Sequence, residues 1–254
     1  MRFASIGSGS EGNGLVVEAD GTRIMIDCGF GLRNTAKRLA RINVEPRSLA
    51  AILVTHEHSD HADGVGRFAA RHGIAVWATF GTLTAVGTSI GTGNVFGFDS
   101  HDCFSIGALT VQPFAVPHDA REPVQFVVGD GARRLGVLTD LGMSTPHVEA
   151  SLSGCDALVL ECNHDLDLLA GSDYPYPLKQ RIAGRFGHLH NEASADLLAS
   201  IDTTKLQHII AAHLSKQNNT PAKARAALSG ALNCSADWIG IADQETGFGW
   251  RELA

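Results

Sequence analysis

The run Thr55-His56-Glu57-His58-Ser59-Asp60-His61 constrains this chain more than any other stretch. It closes residues 49–55 (LAAILVT), a continuous apolar run of strand length, as expected of a strand buried on both faces. The pattern HxHxDH therefore sets imidazole and carboxylate donors in a loop at a strand end, where side chains can fan out around a point. Neutral imidazoles and carboxylates suit zinc and other borderline divalent ions. Three later strand ends repeat the pattern. His118 ends Phe114-Ala115-Val116-Pro117, Asp140 ends Gly136-Val137-Leu138-Thr139, and His213 ends Ile209-Ile210-Ala211-Ala212. Singly, such a residue is more often a hydrogen-bonded loop or capping residue. Strand ends that share one sheet edge, however, would bring all these donors into one pocket.

The rest of the chain reads as alternating strands and helices. Short strands are predicted at residues 2–6, 15–19 and 23–27, a helix at 32–42, a helix at 64–72 and a strand at 74–78. Strands follow at 108–116 and 124–128, with Gly129-Asp130-Gly131 as a hairpin turn into a strand at 133–139. A buried strand at 157–161 leads to Cys162-Asn163-His164-Asp165. Helices at 178–186 and 191–201, a strand at 208–212, a helix at 221–232 opening on Pro221 and a strand at 238–242 complete the series. The order lacks a strict βαβ rhythm and fits two mixed sheets packed face to face with helices outside.

At 254 residues and 44% hydrophobic, one domain over residues 1–254 is expected, large enough to need no disulfides. The five cysteines are scattered and form no CxxC pair, which fits a reducing compartment. The first residues lack the apolar core of a secretory signal, and no apolar run approaches the ~18 residues of a membrane span. A cytoplasmic protein without membrane contact is expected. The net charge of −7 argues against tight, non-specific binding along a nucleic-acid backbone. Bound cations would change the field locally, so a site gripping a few phosphates stays open.

HxHxDH, then a strand-end His, Asp and His in that order, resembles the metallo-β-lactamase superfamily. Asp27 in Ile24-Met25-Ile26-Asp27-Cys28-Gly29 is similar to its first motif, in which the Asp supports the loop rather than ligating. The resemblance implies a four-layer αββα sandwich of two mixed β-sheets flanked by helices. It also implies two divalent ions, zinc or manganese. One is held by His56, His58 and His118 and the other by Asp60, His61 and His213, with Asp140 bridging. Ser8-Gly9-Ser10-Glu11-Gly12-Asn13, Glu161-Cys162-Asn163-His164-Asp165, Tyr176-Pro177-Leu178-Lys179-Gln180-Arg181-Ile182, Gly187-His188-Leu189-His190-Asn191 and His213-Leu214-Ser215-Lys216-Gln217-Asn218-Asn219 narrow the likeness to the WalJ/YycJ-like branch, associated with 5′-exonuclease activity on DNA. His190 stands where that branch usually has serine.

The implied activity is phosphodiester hydrolysis of DNA by a hydroxide shared between the ions, with Asp60 as ligand and catalytic residue. His164 is a candidate for phosphate binding or for protonating the leaving oxygen, and equally for a histidine hydrogen-bonded to a neighbouring loop. His188, just before a helix, is a candidate substrate contact. Lys179, Arg181 and Arg185 form no single stripe and read as a solvated face. The same centre can also hydrolyse a small carbonyl ester, thioester or lactone. A structural metal in a partner-binding module is the weakest reading, because structural sites are coordinatively closed.

Overall fold

A computed structural model of the protein describes residues 1–90 and 93–254. Strands β1 (Arg2–Gly7), β2 (Gly14–Ala19), β3 (Thr22–Ile26), β4 (Ala51–Leu53), β5 (Ala75–Thr79) and β6 (Val95–Phe98) lie in the first sheet. Strands β7 (Phe104–Ile106), β8 (Leu109–Ala115), β9 (Val124–Gly129), β10 (Arg134–Leu138), β11 (Ala157–Glu161), β12 (His208–Ala212) and β13 (Ile239–Ile241) form the second. The last strand, β14 (Phe248–Glu252), returns to pair antiparallel with β1, giving the orders β14-β1-β2-β3-β4-β5-β6 and β13-β12-β11-β10-β9-β8-β7. Each sheet has a parallel half, β3 to β6 and β10 to β13, and an antiparallel half. Both are mixed sheets, as expected.

Helices α1 (Leu32–Arg41), α2 (Ser59–Ala62), α3 (Val65–His72) and α4 (Phe80–Val86) connect strands of the first sheet. The second sheet is served by α5 (Pro146–Leu152), α6 (Leu166–Gly171), α7 (Tyr176–Ile182), α8 (Asn191–Ser200) and α9 (Pro221–Leu232). Three apolar layers follow from the period-two alternation of buried strands. Phe3, Ile24, Leu53, Phe126, Val159 and Ile210 meet between the sheets. Their strand neighbours Ala4, Met25 and Ile52 face Leu39 of α1 and Phe68 of α3. Leu158, Leu160 and Ile209 face Val148, Leu197 and Leu228 of α5, α8 and α9. Each such side chain contributes roughly 1.5–3 kcal/mol when fully buried. The result is the αββα sandwich. No helix among the described residues is long and apolar enough to cross a membrane.

Several local signals decide element ends. Thr220 caps α9 by accepting from Lys223 N, Pro221 opens it, and Asn233 ends it in the left-handed region at φ 50°. The β9–β10 turn is held by Asp130, whose Oδ1 accepts from Ala132 N and Arg133 N. β4 is shorter than the apolar run suggests. After Leu53 the chain leaves the ladder, because Asp27 Oδ1 takes the N–H of Thr55.

Strand directions place the site. β1, β3 and β4 run the same way, and β8, β10, β11 and β12 do likewise in the facing sheet. The segments that follow these strands carry Ser8, Asp27, the HxHxDH loop, His118, Asp140, Cys162 and His213. Their meeting at one edge is the topological requirement set by the sequence, and it is met. Ligand sites in open α/β sheets occupy the same position, beyond the carboxyl ends of strands.

Candidate metal centre

Four overlapping groups of donors among the described residues meet at this edge, among them Asp140 with Glu161, His188 and His213, and His56 with His61 and Asp140; the other two separate the histidines by position. His56, His58 and His118 form one and Asp60, His61 and His213 the other, each with ligand atoms mutually within 4.8 Å. Asp140 lies between them. Its Oδ2 is 3.0 Å from His61 Nε2, and its Oδ1 is 3.8 Å from both His118 Nε2 and His213 Nε2. Within the groups, His118 Nε2 is 3.2 Å from His58 Nδ1, and His213 Nε2 is 3.2 Å from Asp60 Oδ2. Ring nitrogens converging as closely as those of His118 and His58 are poorly partnered with one another. His56 Nε2 is also buried without a hydrogen-bond partner among the described residues. A divalent cation among His56, His58 and His118 would satisfy both observations. No cysteine belongs to any of these groups.

The opposite ring nitrogens are tied down, which sets the nitrogen each histidine offers. Asp27 Oδ2 accepts from His61 Nδ1 at 2.8 Å, Gly187 O from His118 Nδ1 at 2.9 Å, and Asp119 O from His58 Nε2 at 3.2 Å. His58 therefore presents Nδ1 and the other two present Nε2. Asp27 also accepts from Thr55 N and Oγ1 at 2.8 and 3.0 Å, which pins the start of the loop. Both Asp27 (φ 61°) and His213 (φ 55°) sit in the left-handed region, which costs non-glycine residues of order 1–3 kcal/mol. His213 is held there by its N–H on Ser8 Oγ at 3.0 Å and by Asn163 Nδ2 on its carbonyl at 3.0 Å.

Sequence reasoning missed Glu161, the buried centre of this outer network. Its Oε2 accepts from Leu141 N and Leu189 N at 2.9 and 3.1 Å, and its Oε1 lies 2.8 Å from His188 Nδ1 and 3.4 Å from His213 Nδ1. The signal was present: an acid closing a buried strand, as at Asp140. Asn13 was missed too. Its Nδ2 donates to Asp60 Oδ2 at 3.3 Å, and Gln244 clamps its loop by accepting from Glu11 N and donating to Gly12 O.

A cavity of about 350 Å³ opens onto the centre, lined among others by His58, Asp60, Asp140, His188 and His213. His188 is thus at the wall. His164 is not among the lining residues. It is 0% exposed, with both ring nitrogens unpartnered among the described residues, and burial foremost lowers its pKa to about 4. The expected position at the pocket rim is corrected here. Alternation along the strand end turns Glu161 and Asn163 to the site and Cys162 and His164 away from it.

Residues 22–213 match the family described as the Beta-lactamase superfamily domain. The chain belongs to the metallo-β-lactamase superfamily. It is 34% identical to exodeoxyribonuclease YycJ of Bacillus anthracis, over 99% of this chain and 92% of that protein. Identity to exodeoxyribonuclease WalJ of Streptococcus pneumoniae (strain D39) is 32%, over 86% of this chain and 83% of the relative. The metallo-beta-lactamase fold protein YhfI from Bacillus subtilis superposes with a TM-score of 0.77 over 98% of both chains at 14% identity, a likeness of fold. Two supports of the metallo-β-lactamase centre, the Asn13 loop and Gln244, come from outside the matched span and meet at the site.

The electrostatics of this superfamily site favour divalent cations and couple their binding to pH. Burial holds His56 and His118 below the usual histidine range, so their lone pairs are free. Burial also opposes charge on His61 and His213, but Asp140 and Asp60 outweigh it, and His213 is lifted to about 10. Those protons must leave when a cation takes the Asp60, His61 and His213 group. Affinity there is expected to rise with pH toward 10, about tenfold per unit for each proton displaced, and to fall on acidification. Calorimetry in two buffers of different ionisation heat should register proton release at pH 7. Equal affinities at pH 6 and pH 8 without proton release would contradict this.

Gly29 makes the second local prediction. A Cβ there would lie 1.8 Å from the Asp60 carbonyl oxygen, so only glycine lets the two loops touch. Gly29→Ala is expected to push Asp60 outward and weaken metal binding at least about tenfold, of order 1–2 kcal/mol of distortion. A metal titration indistinguishable from the parent would count against it.

Proposed function

We propose that this chain is an exodeoxyribonuclease that holds two divalent ions, zinc or manganese, and hydrolyses DNA phosphodiesters. One observation carries the reading: two three-donor groups face each other across Asp140 at the foot of an open cavity. Seven donors for two ions leave coordination positions for water and substrate, as catalytic sites require. When bound, the ions supply Lewis acidity to a phosphoryl oxygen and acidify a water molecule.

The protein groups do the positioning. Asp60 would help hold one ion, with its Oδ2 kept in place by the Asn13 amide, and in this reading it also accepts a hydrogen bond from the attacking water. His188 has Nδ1 committed to Glu161, leaving Nε2 to meet the substrate, hold a phosphate oxygen or deliver a proton to the leaving oxygen. His164, turned away from the cavity, receives no role in this scheme. The names of the YycJ and WalJ relatives support DNA as substrate over a small carbonyl ester, thioester or lactone.

End-labelled DNA incubated with the full chain and manganese tests the reading. The parent should shorten the labelled strand, and Asp60→Asn should lose at least about a hundredfold in rate, the scale of losing one positioned catalytic group. Turnover of a lactone or thioester with DNA left intact would instead establish the ester reading.

A further inference from the structure

One wall of the cavity comes from a single segment. Tyr174, Leu178, Arg181 and Ile182 all line it, and Gly187 closes the same stretch. Between these lining residues the segment exposes two aromatic rings, Tyr176 at 70% and Phe186 at 58%. From Tyr174 to His190 it carries Lys179, Arg181 and Arg185 and no aspartate or glutamate, in a chain of net charge −7. The solvated face expected from sequence is therefore a local cationic and aromatic border on the cavity.

Arg181 is held at the mouth. Its Nε donates to Asp119 Oδ2 at 2.6 Å, and the Asp119 carbonyl accepts from His58 Nε2. The two terminal guanidinium nitrogens make no protein hydrogen bond among the described residues and remain for an anion. The backbone of Phe186 is fixed to the same residue, because Asp119 N donates to Phe186 O at 3.0 Å. Lys179 and Arg185 are partly engaged, with Ala170 O and Met143 Sδ, and contribute field rather than a fixed contact.

We propose that residues 174–186 form a platform for an unpaired DNA end, with bases stacking on Tyr176 and Phe186 and Arg181 pairing with a backbone phosphate at the cavity mouth. The proposal rests on the hydrolytic reading above and specifies its substrate. Stacking on exposed rings requires bases free of a partner strand, and every base offers such a face. Charge complementarity and continuity with the cavity favour a polyanion over an apolar protein surface as occupant.

Fluorescence anisotropy of a labelled oligothymidylate, titrated with the full chain in calcium, tests the platform separately from hydrolysis. The parent should bind the single strand more tightly than a blunt duplex. The double variant Tyr176→Ala, Phe186→Ala should weaken single-strand binding at least about tenfold. Arg181→Ala should weaken it and lower the salt dependence by about one ion, with Arg181→Lys recovering part of the loss. Trp238→Ala, another exposed aromatic, should bind like the parent. Parent-like affinity in both the double variant and Arg181→Ala overturns the platform, as does a parent that ignores oligothymidylate. A parent that binds by these residues yet leaves DNA intact in manganese supports the platform and sinks the hydrolytic reading.

Discussion

Asp140→Asn is expected to lose at least about a thousandfold in DNA hydrolysis while the chain stays folded. Asp140 is buried between the two donor groups, and its oxygens face His61, His118 and His213. Asparagine keeps the shape but removes the charge that both cations would share. Burial opposes the ionised carboxyl, yet the imidazoliums of His213 and His61 hold Asp140 well below the usual carboxylate range. The charge is thus present at neutral pH, and its loss is expected to weaken cation binding in the donor groups on either side of it. Lewis-acid stabilisation is worth several kcal/mol, and each ~1.4 kcal/mol is tenfold in rate. Metal content measured beside activity should fall with it. A variant retaining full metal and more than a tenth of parental activity would rule out a bridging role.

The second large effect is on stability. Glu161→Ala is expected to destabilise the metal-free protein by about 3–5 kcal/mol, the cost of breaking a buried charged pair. The mechanism is specific. Leu141 N and Leu189 N lose their acceptor, and His188 and His213 lose the carboxylate that orients them. Each orphaned buried donor alone costs about 1–3 kcal/mol. Glu161→Gln should cost less, because its amide oxygen can still accept one set of bonds. Denaturant midpoints of the three metal-free proteins decide this, and an alanine variant as stable as the parent would contradict it.

The donor cluster was legible because its members follow apolar strands, and the apolar run before His56 announces both the strand and the loop. The same logic finds Glu161, an acid closing a buried strand as Asp140 does. His164 illustrates the opposite failure. Sequence adjacency to a strand end gives no facing, and the alternation that carries Asn163 to the cavity sends His164 behind it. β14 went unread because FGWRE pairs at an edge and is largely exposed, so it lacks the apolar alternation that marks a half-buried strand. The short α2 was hidden inside HxHxDH itself, where the chemistry of the residues masks one helical turn. Arg181 reached the cavity mouth through a contact with Asp119, a pairing across distant sequence that no local pattern encodes.

Anomalous diffraction at the manganese edge from crystals of the manganese-loaded chain bears most directly on the metal centre. Two peaks are expected, one among His56, His58 and His118 and one among Asp60, His61 and His213, with Asp140 touching both. Peaks elsewhere, or none at this edge of the sheets, would contradict the dinuclear site on which the hydrolytic reading stands.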